Sequence, residues 1–298
     1  MNIQNLTMSF GLQTIYDNVS FQINENDKVG IVGVNGAGKS TLFNLILGKL
    51  TPDEGKIIIK NNINIGYLPQ VITDEIPNDD ITVFEYLLLG RPIEELKNKL
   101  TNLYEKIATI EDQKELNHYL KEITKVEDKL TYYDEYNAES TLLKIITGMN
   151  IDDKLLDLKL KNISGGQKSK IAFARLLYSK PEIMLLDEPT NHLDIDTKDY
   201  IISYLKKYHG MILVISHDIE FLNEVTTKTL YVDKIKHNVE IYNGNYQKYL
   251  KIKEERDLAK KRLFEKQQKE EEKLKNIISK YIRGNEKKPI LLKTELKN

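Results

Sequence analysis

The chain has no cysteine, which excludes disulfides and cysteine-based zinc sites. It also lacks any apolar run long enough to cross a bilayer. The longest, such as Met211-Ile212-Leu213-Val214-Ile215, are of strand length, far short of the ~20 residues a spanning helix needs. The first residues hold no basic region followed by an apolar one, so no secretion signal is read there, and a cytoplasmic chain without membrane insertion is expected. No repeat or low-complexity tract breaks the sequence. What remains is 298 residues, 40% apolar and 30% charged, enough for one α/β domain with appendages and a sizeable core.

The net charge of −1 conceals an asymmetry. Residues 251–298 carry 16 Lys and Arg against 9 Asp and Glu, a net of +7, which leaves −8 for residues 1–250. A basic segment on an acidic globule suits a polyanionic partner; the plain alternative is a solvated helix whose charges only keep it soluble.

Gly33-Val34-Asn35-Gly36-Ala37-Gly38-Lys39-Ser40 fits the phosphate-loop pattern G-x-x-x-x-G-K-S/T. The apolar run Lys28–Val32 precedes it and a helical pattern, Thr41–Leu47, follows, the strand, loop and helix context that the motif requires. Polyphosphate is a dense anion, so the loop must bring backbone N–H groups close, and the next helix N-terminus adds partial positive charge. Lys39 suits the β- and γ-phosphates, and the Ser40 hydroxyl suits Mg²⁺. Further on, the buried-strand run Ile183-Met184-Leu185-Leu186 delivers Asp187 and Glu188 at its C-terminal end, where ligands bind in parallel α/β sheets. Asp187 fits a Mg²⁺ ligand and Glu188 a general base for an attacking water.

With Pro189-Thr190-Asn191-His192-Leu193-Asp194 after that pair, the chain resembles the ATP-binding cassette (ABC) ATPases, and in particular their F branch, over residues 1 to about 282. The resemblance implies an α/β fold: a P-loop ABC-type nucleotide-binding domain with a helical subdomain or arm insertion and a C-terminal helix. It implies ATP and Mg²⁺ as cofactors, with Gly33, Asn35, Gly36, Ala37, Gly38, Lys39, Ser40 and Thr41 around the phosphates. Ser40, Gln70 and Asp187 would serve the metal, and Glu188, His217 and Gln70 the chemistry. Ser164, Gly165, Gly166 and Gln167 would form the signature loop that caps the γ-phosphate of a partner cassette, and Asp194 would be the D-loop aspartate. Phe10 falls where the family has an adenine-stacking aromatic, with Tyr16 the next candidate. Taken singly, Ser-Gly-Gly-Gln is a helix cap, a histidine after a strand is structural and Phe10 is core; the order of all of them carries the weight. Phosphoryl transfer needs positioning and charge neutralisation more than covalent chemistry, and these residue types can supply both.

The pattern divides the chain into a cassette, 1–250, and a charged linker helix and tail, 251–298. Residues 1–72 read as short strands, Ser20–Ile23, Lys28–Val32, Lys56–Ile59 and Ile65–Leu68, and 83–160 as wholly helical. Within that insert Ile93, Leu96, Leu100, Leu103 and Ile107 alternate at three- and four-residue steps, and Leu116, Leu120, Ile123 and Leu130 continue the stripe after Thr109–Gln113. This predicts an antiparallel helical hairpin. In the F branch an insertion here is the arm that reaches into the ribosome, although part of 83–160 must be the small helical subdomain that every cassette has. The apparent tip, Glu111-Asp112-Gln113-Lys114-Glu115, is too acidic to neutralise phosphates itself.

Strands at Thr229–Val232 and Val239–Tyr242 lead through Tyr242-Asn243-Gly244-Asn245-Tyr246 into a helix expected to reach about Ile282, similar to the start of the F-branch interdomain linker. Leu274, Ile277, Ile278 and Tyr281 form an apolar stripe suited to a second linker helix, before Lys287-Lys288-Pro289 and a polar tail. The chain therefore looks like the N-terminal cassette of an F-branch protein, with a second cassette, in another copy or another chain, completing its ATP sites and the ribosome, rRNA or tRNA as partner. The alternatives are the ATPase subunit of a transporter and a nucleotide-binding fragment with little turnover.

Overall fold

A computed structural model describes residues 1–61, 63–70, 80–110, 112–191 and 193–286. Two compact units emerge, Met1–Tyr246 and Gln247–Asn298.

The first unit holds two sheets. β1 (Asn2–Phe10), β2 (Gln13–Gln22) and β4 (Glu54–Ile58) form an antiparallel sheet in the order β2-β1-β4. β3 (Lys28–Val32), β5 (Ile65–Leu68), β6 (Ile183–Asp187), β7 (Met211–Ile215), β8 (Lys228–Asp233) and β9 (Asn238–Asn243) form the other, in the order β5-β6-β7-β3-β8-β9. Only β9 runs antiparallel to its neighbour in that sheet. Every residue of β6 and β7 is buried, as expected of parallel strands covered on both faces. Their Ile, Leu, Val and Met side chains therefore read as continuous apolar runs. A core of Ile3, Leu6, Tyr16, Ile31, Leu42, Phe43, Leu185, Leu213 and Leu230 binds the two sheets around α1 (Lys39–Ile46).

The strand order positions the chemistry. β5, β6, β7 and β3 lie side by side and parallel, so the segments leaving their C-terminal ends converge: Gln70, Glu188, His217 and the glycine loop. This is the crevice where open α/β sheets bind ligands.

The sequence missed β1 altogether and shortened β2, reading Ser20–Ile23 for a strand that runs Gln13–Gln22. Left-handed Asn5 and Asn18 (φ 51° and 49°) shift the register between these strands and break their alternation. Bulges of this kind bend the strand and obscure the period of two.

Helices α2 (Val83–Leu88), α3 (Ile93–Ile107), α4 (Gln113–Tyr132) and α5 (Ala138–Gly148) fill the insert. The segment is not wholly helical: a bridge between Thr82 and Lys159 closes it, and only short 3₁₀ turns at Asp153–Leu155 and Leu160–Asn162 follow α5. The α3–α4 hairpin forms, and on α4 its seam differs in three places from the stripe read in the sequence: Leu116 is not part of it, Tyr119 stands in for Leu120, and Val126 joins it. Leu96, Leu103, Ile123, Val126 and Leu130 make the core, with Tyr119 packed against it, whereas Leu120 is 45% exposed. On α4 the seam steps four residues from Tyr119 to Ile123, three to Val126 and four to Leu130. Asp112 caps α4 by accepting from Lys114 N and Glu115 N, and Glu111 of the tip lies outside the described residues.

Arg91, 7% exposed, fastens the foot of this arm. Its Nε donates to Tyr178 O (2.7 Å) and its Nη1 to Tyr133 O (2.6 Å), and the guanidinium lies 4.4 Å from the Tyr178 ring centroid. One side chain thus ties the ends of α4 and of α6 (Gly165–Ser179) together.

Helices α7 (Ile195–Lys207) and α8 (Ile219–Val225) complete the first unit. The described residues of the second unit belong to one helix, α9 (Tyr246–Glu286), which reaches past the expected end near Ile282. Leu274, Ile277 and Ile278 on it are exposed. Lys287, Lys288 and Pro289 lie outside the described residues, among which no helix is long and apolar enough to cross a membrane.

Candidate active site

A cavity of about 470 Å³ opens at the C-terminal ends of β3, β6 and β7, lined by Asn35, Gly36, Gly38, Lys39, Ser40, Thr41, Gln70, Asp187, Glu188, Asn191, Ile215 and His217. Its floor is the glycine loop. Gly38 holds φ 108° at the N-cap of α1, and a Cβ there would lie 2.4 Å from Ile15 Cγ2. Only glycine fits so tight a backbone approach. No side chain caps α1 and no acidic residue occupies its first turn, so its leading amides and dipole are left open for an anion.

Tyr16 sits beneath this loop, wholly buried, and donates its hydroxyl to Gly38 O at 2.8 Å. Burial raises its pKa well above the tyrosine range. It props the loop from inside and has no face free for a base, which removes it as an adenine-stacking candidate.

Lys39 Nζ donates to Gly33 O (2.9 Å) and Val34 O (3.3 Å). Partial burial lowers its pKa, against the opposing pull of Glu188 and Asp187. Its own loop thus provides neutral carbonyls in place of water, and a polyphosphate would replace them with charge-assisted bonds. Across the cavity Ser40 Oγ donates to Asp187 Oδ2 at 3.3 Å. The hydroxyl and carboxylate are hard oxygen donors suited to Mg²⁺. Among the described residues no set of three or more His, Cys, Asp or Glu could cage a metal. A magnesium ion here would keep waters and phosphate oxygens for its remaining positions, as it commonly does.

Asp187 is 6% exposed, and its pKa is raised, first by burial and then by the charge of Glu188, which Ser40 and Lys39 only partly offset. A carboxylate whose folded pKa lies above its unfolded value destabilises the ionised folded state, and that penalty fades as pH falls through the folded pKa. Asp187→Asn is expected to raise the Tm of the nucleotide-free protein at neutral pH by about 2–4 °C, the equivalent of about 1 kcal/mol in a domain of this size. The gain should shrink toward acid pH. Calorimetry across that range checks it, and a Tm that falls at neutral pH would refute it.

Glu188 adopts φ 51°, a left-handed conformation costly for a residue with a side chain. Its N–H donates to Ile215 O (2.8 Å), and its Oε2 accepts from the His217 backbone N–H (3.1 Å). His217 Nε2 stands 3.5 Å from Glu188 Oε1. The backbone twist turns the carboxylate from the end of β6 toward the end of β7, beside the imidazole.

Asn191 and Ile215 also line the cavity and were missed as site residues. Asn191 lies in the same sequence box as Asp187 and Glu188, which was the available signal; Ile215 reads simply as a strand residue. His192 lies outside the described residues.

Other residues singled out in the sequence stand away from this cavity. Ser164 begins α6 with a reciprocal cap, Ser164 N donating to Gln167 Oε1 (2.9 Å) and Gln167 N to Ser164 Oγ (3.4 Å). A Cβ at Gly165 or Gly166 would meet nothing within 4 Å. Asp194 caps α7 through Thr197 N (2.9 Å) and pairs with Lys170 Nζ (2.8 Å). The Lys170 bond, then the Thr197 amide, hold its carboxyl well below the usual range. Phe10 ends β1, 49% exposed, and does not line the cavity.

A glycine cradle at a helix N-terminus, a lysine, a serine–aspartate pair and a glutamate–histidine pair on parallel strands define a P-loop nucleotide-binding cassette. The ABC transporter family description matches residues 16–191, and a second description of the same name matches 234–289. The chain belongs to the ABC transporter family and is an ATP-binding ABC cassette. It is 35% identical over 285 residues to the uncharacterized ABC transporter ATP-binding protein YfmM of Bacillus subtilis (94% of this chain, 53% of that protein). It is 34% identical over 249 residues to ATP-binding protein Uup of Escherichia coli (83% and 37%), and 30% identical over 286 residues to ABC transporter F family member 2 of Arabidopsis thaliana (95% and 42%). The chain spans about half the length, or less, of these relatives. Among solved structures it shares its fold with an ATP-binding subunit of an ABC transporter (TM-score 0.59, 17% identity, 81% of this chain and 89% of that one). It also shares it with an ATP-binding cassette in a dimeric post-hydrolysis state bound to ADP and Pi (TM-score 0.54, 22% identity, 81% and 97%).

Proposed function

We propose that this chain hydrolyses ATP as an F-branch cassette, completes its sites with a second cassette and acts at the ribosome. The observation carrying the reading is a separation. Lys39, Ser40, Gln70, Asp187, Glu188 and His217 share one cavity, while Ser164–Gln167 stands on open glycines outside it. A loop so presented serves an opposing cassette. The similar cassette described as a dimer supports this arrangement.

ATP with Mg²⁺, when bound, would supply the transferable phosphoryl group and the cation that neutralises it. The α1 amides and Lys39 bind the anion, and Ser40 and Asp187 orient hard oxygens toward the metal, with Gln70 at the rim. Glu188 accepts the proton of the attacking water. His217, beside that carboxylate, holds it in place and senses the γ-phosphate.

The ribosomal part of the reading rests on the α3–α4 arm, the basic segment 251–298 and the resemblance to the F branch. The Glu188→Gln protein with ATP is expected to co-sediment with ribosomes in a sucrose gradient and to dissociate as salt rises, because phosphate contacts release counterions. Deleting 251–298 should weaken this more than deleting the acidic tip at 111–115, since only the former carries net positive charge. Protein that stays at the top of the gradient at low and moderate salt, even with a second cassette supplied in trans, would end the ribosomal reading. Co-purification with a membrane protein would favour the transporter-subunit alternative.

A further inference from the structure

We infer that a second cavity, at the foot of the arm, docks a basic, leucine-bearing helical segment of a protein partner. The cavity is about 380 Å³ and lies between α2, the start of α3, α5 and the end of α6. Phe84, Leu88, Leu89 and Ile93 give it apolar walls. Leu88 and Leu89 are 38% and 57% exposed, side by side on a soluble surface with nothing in this chain's described residues covering them.

The rim decides what the occupant is. Glu94, Glu95, Glu135 and Glu139 surround the opening. Two cations face them. Lys97 lies 3.8 Å from Glu135, and Arg91 is committed to the Tyr178 and Tyr133 carbonyls. The balance at the mouth is negative. Such a rim repels phosphate, so a nucleic acid is disfavoured here. It attracts Lys and Arg, and an apolar slot ringed by carboxylates matches a helix that presents leucine on one face and basic residues beside it. The occupant would rest directly against Arg91 and Tyr178, the pair that fastens α4 to α6.

This inference is independent of the ATPase reading, and its test uses the full chain. The probe is a labelled helical peptide of Leu and Lys, compared by fluorescence anisotropy with a peptide of the same pattern carrying Glu for Lys and with a single-stranded RNA oligonucleotide. The Leu–Lys peptide should bind and the other two should not. Leu89→Ser should weaken binding about tenfold, as loss of a central apolar anchor does. The pair Glu94→Lys with Glu139→Lys should weaken it by a similar factor, more at low salt than at high. Glu105→Lys with Glu115→Lys, acidic residues elsewhere on the arm, should leave it unchanged. Undiminished MgATP binding in every variant establishes that each is folded. Equal loss in the Glu105/Glu115 control, or equal binding of the Glu peptide, would overturn the proposal. So would RNA binding that Leu89→Ser weakens, which makes the occupant a nucleic acid, or a self-associated state that Leu89→Ser dissociates, which makes it a second copy.

Discussion

Glu188→Gln is expected to leave MgATP binding intact while turnover falls by about 10²–10⁴-fold, the range for losing general-base help. The amide keeps the shape and can still accept from the His217 backbone N–H at Oε1 or its equivalent, so the left-handed turn at residue 188 survives. What it loses is the capacity to take a proton. Phosphate-release kinetics on the wild type and the variant, at saturating ATP, read the difference directly. On the proposed two-cassette reading the wild-type rate per molecule should itself rise with protein concentration, because Ser164–Gln167 stand outside the cavity that holds Lys39 and Glu188. A wild-type rate that stays high and flat on dilution to nanomolar would sink the composite-site argument, and a Glu188→Gln rate equal to wild type would move the base elsewhere.

Lys39→Ala should weaken MgATP binding by about 10²-fold or more, about 3 kcal/mol, the upper range for a hydrogen bond to a charged group. The ammonium is the cation that the loop turns inward, held on Gly33 O and Val34 O, and alanine leaves those carbonyls facing the phosphates. Phe10→Ala should cost less, about 1–3 kcal/mol by analogy with base–aromatic stacking. Titration with a fluorescent ATP analogue separates the two. Retained affinity in Lys39→Ala would refute the phosphate role. Retained affinity in Phe10→Ala would move the adenine contact to an exposed apolar neighbour such as Leu12 or Val34, since Tyr16 is sealed beneath the loop.

How much of this could be read in advance depends on where the determinants lie along the chain. The glycine loop, Asp187 and Glu188 were legible because their chemistry is local: a strand, a turn and a helix start within a dozen residues. β3 and β5 were legible to the residue: β3 is an apolar run buried from Val29 to Val32, and β5, a half-buried edge strand, shows as a short apolar and aromatic run, Ile65-Gly66-Tyr67-Leu68. β1 was not, because Asn5 interrupts its period. In the arm the hairpin showed clearly, but the choice of Tyr119 over Leu120 is set by where α3 lies across from it. Arg91 was beyond reach for the same reason. Its partners are backbone carbonyls 87 and 42 residues away, and a carbonyl carries no sequence signal. Tyr16 likewise reads as an aromatic near the nucleotide until its burial beneath Gly38 is seen.

The Arg91 fastening has a mechanical consequence. α4 has 20 residues and α6 has 15, rods of about 30 Å and 22 Å at 1.5 Å per residue, joined near their C-terminal ends by the Arg91 guanidinium and by Tyr132, whose hydroxyl donates to Lys180 O at 2.9 Å. The free end of one is the arm tip; the free end of the other is Ser164 with its glycines. Arg91 therefore sets where the C-terminal ends of the two helices meet, the arm on one side and the buried α6 on the other, while their far ends are placed by other contacts.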